Sequence, residues 1–183
     1  NREGDFNLLQ QMGQTFGYDV QEIPKQVLNE VAVSSTKIRE AIAKGDAQTA
    51  NQLLGYTYLL RGYMVEENKI GRKLGYPTAN LQIQDAGKLV PANGVYAVLA
   101  QVEGDTRVLK GMMNIGTRPT VDGSQKTTEV NLFDFEEDIY NRHLKVFVKY
   151  HLRDEVKFNG LDKLIEQLNK DKEQSLQLLA DAE

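Results

Sequence analysis

A chain of 183 residues, 40% hydrophobic and 26% charged, has the composition of a globular protein able to bury a core. Having no Cys, it excludes disulfides, thiolate metal sites and Cys nucleophiles, and it suits a reducing, cytoplasmic compartment. The balance of 22 basic against 26 acidic residues gives no general attraction for nucleic acid, and no apolar run approaches the roughly 20 residues that span a bilayer. The chain opens on Asn1 with no charged-then-apolar leader, so a trimmed fragment is expected.

Phe6, Leu8, Leu9, Met12 and Phe16 form a helical stripe that Gly17 stops. Residues 19–23 alternate weakly toward Pro24 and predict a short strand. Ser34, Ser35 and Thr36 offer N-caps to a helix with Ile38, Ala41 and Ile42 facing inward. Gly45 ends it, Asp46 caps the next, and Ala50, Leu53 and Leu54 face inward before Gly55. Past residue 57 the hydrophobic period changes from helix to strand. That change is the expected domain boundary, dividing 1–57 from 58–183. Strands are predicted at 59–65, 78–83, 94–102, 109–115, 127–133 and 144–150, with turn signals such as Asn93-Gly94, Gly104-Asp105 and Asp122-Gly123 between them. Short strands in series without intervening helices predict an antiparallel sandwich or a small closed barrel. A last helix from near Gly160 sets Leu161, Leu164, Ile165, Leu168, Leu176 and Leu179 on one face, and its Lys, Asp and Glu on the other.

The richest segment chemically is Gly71-Arg72-Lys73-Leu74-Gly75-Tyr76-Pro77-Thr78-Ala79-Asn80. Two glycines bracket two cations, so the backbone can bend close to an anion. Thr78 and Asn80 share one face of an extended segment, where a hydroxyl and an amide oxygen suit a Mg²⁺ that also binds phosphates. On composition alone the segment reads first as a mobile basic loop leading into an edge strand. It is not a P-loop, since no Gly-Lys-Ser/Thr opens a helix. Glu129 shares a strand face with Thr127 and Asn131, opposite Val130 and Leu132. A lone carboxylate there is either solvated or, where the face lines a cleft, a general base. In Asn114-Ile115-Gly116-Thr117-Arg118-Pro119-Thr120 a strand ends at Gly116 and a turn begins at Arg118, which meets either water or a phosphate. Leu152-Arg153-Asp154-Glu155-Val156-Lys157-Phe158 alternates charge ahead of an aromatic, to clamp an aromatic ligand or to pair internally. His143 and His151 are too isolated for a metal site, and no nucleophile elbow is present.

Taken together, these segments resemble the riboflavin kinase module of the bacterial bifunctional riboflavin kinase/FAD synthetase family. The resemblance runs from about Tyr58 to the C-terminus, and the segment Leu89-Val90-Pro91-Ala92-Asn93-Gly94-Val95-Tyr96 belongs to it as well. It implies a mainly β fold, a six-stranded antiparallel Greek-key barrel with a C-terminal helix. It further implies ATP-dependent phosphorylation of riboflavin to FMN, with ADP released. On this resemblance Gly71, Lys73 and Gly75 cover the ATP phosphates, Thr78 and Asn80 hold Mg²⁺, and Glu129 is the catalytic base. Asn114 and Gly116 shape the nucleotide side, and Arg153 and Glu155 sit in a loop that closes over the flavin.

Val33-Ser34-Ser35-Thr36-Lys37-Ile38-Arg39 is similar to a segment near the end of that family's adenylyltransferase domain. Residues 1–57 are therefore expected to be a mostly helical remnant of an α/β nucleotidyltransferase domain. Ser34, Ser35, Thr36 and Arg39 would face nucleotide phosphates at a helix N-terminus. The paired-His motif of that domain is absent, so FMN without FAD is the expectation. The expected partners are riboflavin or FMN and ATP or ADP, with no nucleic acid and no membrane. Two alternatives are a catalytically silent flavin- or nucleotide-binding module and an oligonucleotide-binding barrel. The intact Glu129 argues against the first, and the charge balance of the barrel region against the second.

Overall fold

The structure is a computed structural model that describes residues 6–21, 27–28, 31–65, 79–120 and 123–181. The chain divides into two compact units, Asn1–Val33 and Ser34–Glu183. In the first, helix α1 (Phe6–Phe16) precedes two short antiparallel strands, β1 (Val27–Leu28) and β2 (Val31–Ala32). The helix forms where its periodicity predicts it, and Gly17 stops it at a left-handed φ of 73°. Its stripe is not buried, however: Leu8, Leu9, Met12 and Phe16 are all exposed, Phe16 at 71%. Residues 19–21 carry no strand, and the rest of the strand expected at 19–23 lies outside the described residues.

In the second unit the capping signals locate two helices. Ser34 Oγ accepts from the Lys37 N–H at 3.3 Å and opens α2 (Ser35–Ala43). Asp46 accepts from the Thr49 N–H at 3.0 Å and opens α3 (Ala47–Leu54), which closes on left-handed Gly55. Six strands follow: β3 (Tyr58–Val65), β4 (Ala79–Ile83), β5 (Gly94–Val102), β6 (Leu109–Thr120), β7 (Gly123–Leu132) and β8 (His143–Arg153). They close into a barrel in the order β3-β4-β7-β6-β5-β8, with every pair antiparallel. β5, β6 and β7 form a meander, with β4 returning beside β7 and β8 beside β5. Two Greek keys thus share the meander.

Alternate residues such as Leu60, Met64, Val98, Met113, Val130 and Val146 fill the barrel. Each fully buried aliphatic of this kind stabilises by about 1.5–3 kcal/mol. β5 is apolar along most of its length because both its faces are covered. Tyr96, Val98 and Ala100 point inward, while Ala97 and Leu99 pack outside with Leu179.

α2 and α3 belong to the same core. Ala41, Ile42, Ala47 and Ala50 are buried in the barrel cluster. Asn51 bridges α3 to the barrel: its Nδ2 donates to Val148 O at 2.9 Å, and its Oδ1 accepts from the Tyr58 N–H at 2.7 Å. The change of period at residue 57 is a change of secondary structure within a unit that begins at Ser34. A shortened chain starting at Ser34 should therefore keep the melting temperature of the second unit. One starting at Tyr58 should melt roughly 10 °C lower, having lost those contacts. Thermal denaturation of the two chains tests this, and equal melting temperatures would show that the helices add nothing.

Helix α4 (Leu161–Leu178) closes the chain. Leu164, Ile165 and Leu168 are half-buried as the stripe predicts, but Leu161 is 58% exposed. The most deeply buried residues in the helix are Asp171 and Ser175. The sequence pattern puts every charge on the outer face, and Asp171 breaks it. Its spacing from Leu164, Leu168, Ser175 and Leu179 places it on the inner stripe, where Arg153 meets its charge.

Candidate active site

Strand register assembles the site. Asn80 on β4 lies opposite Glu129 on β7, and Glu129 lies opposite Asn114 on β6. Asn114 lies opposite Val95 on β5, and Val95 opposite Arg153 at the end of β8. Side chains of directly opposed residues project to the same face. Leu81, Met113, Ile115 and Val130 fill the barrel, so Asn80, Glu129 and Asn114 lie on its outer surface. Residues from motifs far apart in the chain thus form one lateral row.

Asn80 is half-buried, and its Oδ1 is buried with no hydrogen-bond partner among the described residues. An unsatisfied buried acceptor costs about 1–3 kcal/mol, so this oxygen is better suited to a ligand than to packing. Glu129 is ion-paired: Arg118 donates through Nη2 to its Oε1. The sequence pattern ends the strand near residue 115 and turns the chain at Arg118. Instead, β6 and β7 run on as a paired ribbon as far as Thr120 and Gly123. Arg118 is a strand residue opposite Gln125, on the face that carries Glu129. The ribbon is polar, so no apolar alternation marks it, yet pairing satisfies its backbone groups.

A Cβ on Gly116 would stand 2.6 Å from Glu155 Oε1, so the missing side chain is what admits that carboxylate. Glu155 Oε2 also accepts from Asn93 Nδ2 at 3.2 Å, and the same amide donates to Thr117 Oγ1 at 3.0 Å. Glu155 therefore leans over β6 beside Asn114. Arg153, expected in a loop, is the last residue of β8. Its guanidinium forks onto Asp171, with Nε to Oδ1 at 3.0 Å and Nη2 to Oδ2 at 2.7 Å. The Phe158 ring lies 5.6 Å away, and Gln167 Nε2 donates to Asp171 Oδ1 at 2.8 Å. Asp171 is a residue the sequence reasoning missed; its signal was a lone carboxylate in an apolar stripe.

Among the described residues β4 and β7 pair through Ala79 and Asn80. Beyond that point their seam opens into a cavity of about 610 Å³, lined among others by Asn80, Gln82, Asp85, Lys88, Gln125 and Lys126. Burial pushes the Lys88 and Lys126 ammonium groups below the usual lysine range. Lys88 Nζ sits 4.1 Å over the Tyr58 ring, and Lys126 Nζ donates to Pro91 O at 2.6 Å. β7 therefore separates a lysine-bearing cavity from the side that carries Asn114, Gly116 and Glu155.

Gly71, Lys73, Gly75 and Thr78 lie outside the described residues. The Ser34 hydroxyl serves as a helix cap, and Ser35, Thr36 and Arg39 are exposed. His143 stacks on Tyr63 and His151 meets the edge of Tyr96. Among the described residues no three His, Asp or Glu side chains gather to hold a metal, and no helix is long and apolar enough to cross a membrane.

The flavokinase (riboflavin kinase) family model matches residues 54–179. The bifunctional riboflavin kinase/FMN adenylyltransferase of Haemophilus influenzae is 38% identical over 172 residues, covering 94% of this chain and 55% of that protein. The Bacillus subtilis protein of the same name is 42% identical over 147 residues, covering 79% and 46%. A solved Streptococcus pneumoniae structure, described as a macrolide-efflux protein, aligns with a TM-score of 0.82 and 36% identity over 90% of this chain and 53% of that one. The chain spans about half the length of these relatives. With the family model covering more than half of it and relatives of this identity along most of its length, the chain belongs to the riboflavin kinase family.

Proposed function

We propose that this chain transfers the γ-phosphoryl group of ATP to the ribityl 5′-hydroxyl of riboflavin, giving FMN and ADP. The observation that carries this reading is the row in which Glu129 stands between Asn114 and Asn80, whose Oδ1 has no partner among the described residues. Phosphoryl transfer needs aligned donor and acceptor, charge neutralisation and a positioned base. In this reading the nucleoside of ATP takes the cavity beside Lys88 and Lys126, and its phosphates turn toward Asn80. The flavin approaches from the Glu155 side, which moves Asn114 and Gly116 from the nucleotide to the acceptor. Arg153 holds the start of the 154–160 segment through Asp171 rather than touching the flavin.

Asn80 Oδ1 has the chemistry of a Mg²⁺ ligand: a neutral hard oxygen, buried, with no other partner among the described residues. Thr78, outside the described residues, would join it. When bound, Mg²⁺ neutralises charge on the phosphate oxygens. Gly71, Lys73 and Gly75 keep the phosphate-covering role the family implies. Glu129 takes the hydroxyl proton as the oxygen attacks, and Asn114 orients that hydroxyl. The Cys-free composition suits a reducing cytoplasm.

Asn80→Ala should raise the Mg²⁺ concentration for half activity about tenfold while leaving the KM for riboflavin unchanged, because a site with few protein ligands has little redundancy. Superimposable Mg²⁺ titrations would give Asn80 another role. The reading as a whole is tested by incubating the protein with riboflavin, ATP and Mg²⁺ and separating the products. FMN and ADP should appear in equal amounts, and an absence of FMN overturns it. With FMN supplied as substrate no FAD is expected; FAD above the no-enzyme control would give residues 1–57 adenylyl-transfer chemistry.

A further inference from the structure

The Arg118–Glu129 pair poses a chemical conflict. A carboxylate that takes a proton from an incoming hydroxyl needs a free lone pair and room for that hydroxyl, yet Oε1 already accepts from Arg118. Arg118 reaches it from a position opposite Gln125, so its side chain runs along the outer face past the Gly116–Thr127 pair. The acceptor must cross that same surface. The pair is also open to exchange: the Arg118 side chain is 45% exposed and that of Glu129 22%, and solvent screens an exposed ion pair so that it holds weakly. A polyanionic phosphate is the stronger partner for a guanidinium, which forks two N–H bonds onto its oxygens.

We propose that Arg118 is a catalytic residue that leaves Glu129 for the γ-phosphate of ATP, so that its hold on the base is released only once the donor is in place. This rests on the kinase reading of the same site. The hydroxyl oxygen bonds to the γ-phosphorus as the bond to the bridging oxygen breaks, leaving its electron pair on ADP. The proton passes to Glu129, and Arg118 neutralises charge on the transferring group.

The test compares wild type, Arg118→Ala and Arg118→Lys in steady-state kinetics and in binding of ADP and a non-hydrolysable ATP analogue. Arg118→Ala should lower kcat about 10²–10³-fold, the usual effect of removing one charge-stabilising donor, with the KM for riboflavin within threefold. It should weaken the ATP analogue about tenfold and ADP less than threefold, since only the analogue carries a γ-phosphate. Guanidinium ion should restore part of the Arg118→Ala rate and none of the Glu129→Gln rate. Arg118→Lys keeps the charge without the fork and should fall between wild type and alanine. Should the alanine variant fail to fold, the lysine variant carries the same ADP-against-analogue comparison. A kcat within threefold of wild type, equal losses for ADP and the analogue, or no guanidinium rescue would overturn the proposal. Wild-type protein that makes no FMN would overturn the kinase reading beneath it.

Discussion

Glu129→Gln should lower kcat by about 10²–10⁴-fold, the contribution of a positioned general base. Glutamine preserves the size of the side chain and can still accept from Arg118, but it cannot take the proton of the attacking hydroxyl. Glu129 is partly open to solvent and its ion pair is weak, so the melting temperature should hardly move. ATP affinity should be unchanged or higher, because a neutral partner releases Arg118 more readily. A loss in kcat without a matching rise in KM marks an interaction that acts in the transition state. Initial rates of ADP formation measure it, and a variant within threefold of wild type would remove Glu129 from the role of base.

Asp171→Ala should be the most destabilising single change outside the barrel core. The Asp171 side chain is 1% exposed and that of Arg153 20%. Truncation at Asp171 leaves a largely buried guanidinium without its counter-charge. Breaking such a pair costs about 3–5 kcal/mol, a fall in melting temperature on the order of 10 °C for a domain of this size. The segment that follows Arg153, the last residue of β8, carries Glu155 to Gly116 and Asn93, so the KM for riboflavin should rise as well. Replacing both partners together, Asp171→Leu with Arg153→Met, should recover much of the melting temperature, since an apolar pair of similar volume avoids desolvating two charges. It should not recover the KM, because the fork that sets the segment is gone. A melting temperature within 2 °C of wild type for Asp171→Ala would show that the pair holds nothing in place.

Much of the secondary structure was legible in the chain because its signals are local. Ser34 and Asp46 cap the two helices they were expected to cap, Gly55 closes the second, and runs rich in Val, Tyr and Leu between turn signals mark the barrel strands. Asn80, Glu129, Asn114 and Gly116 could each be named as candidates from the motifs around them. Their adjacency could not, because it depends on which strands pair and in what register.

That pairing is decided when the barrel closes around its apolar interior, an energy shared among residues far apart in sequence. Closure sets Asn80 beside Glu129 and Glu129 beside Asn114. The same closure carries the ribbon beyond residue 115 and delivers Arg118 to Glu129. It also draws Ala41, Ile42, Ala47 and Ala50 into the core, across the change of period at residue 57. Asp171 is the clearest limit of local pattern, since by composition a charge belongs outside. Only the tertiary fold, by ending β8 at Arg153 under α4, supplies the counter-charge that makes its burial tolerable.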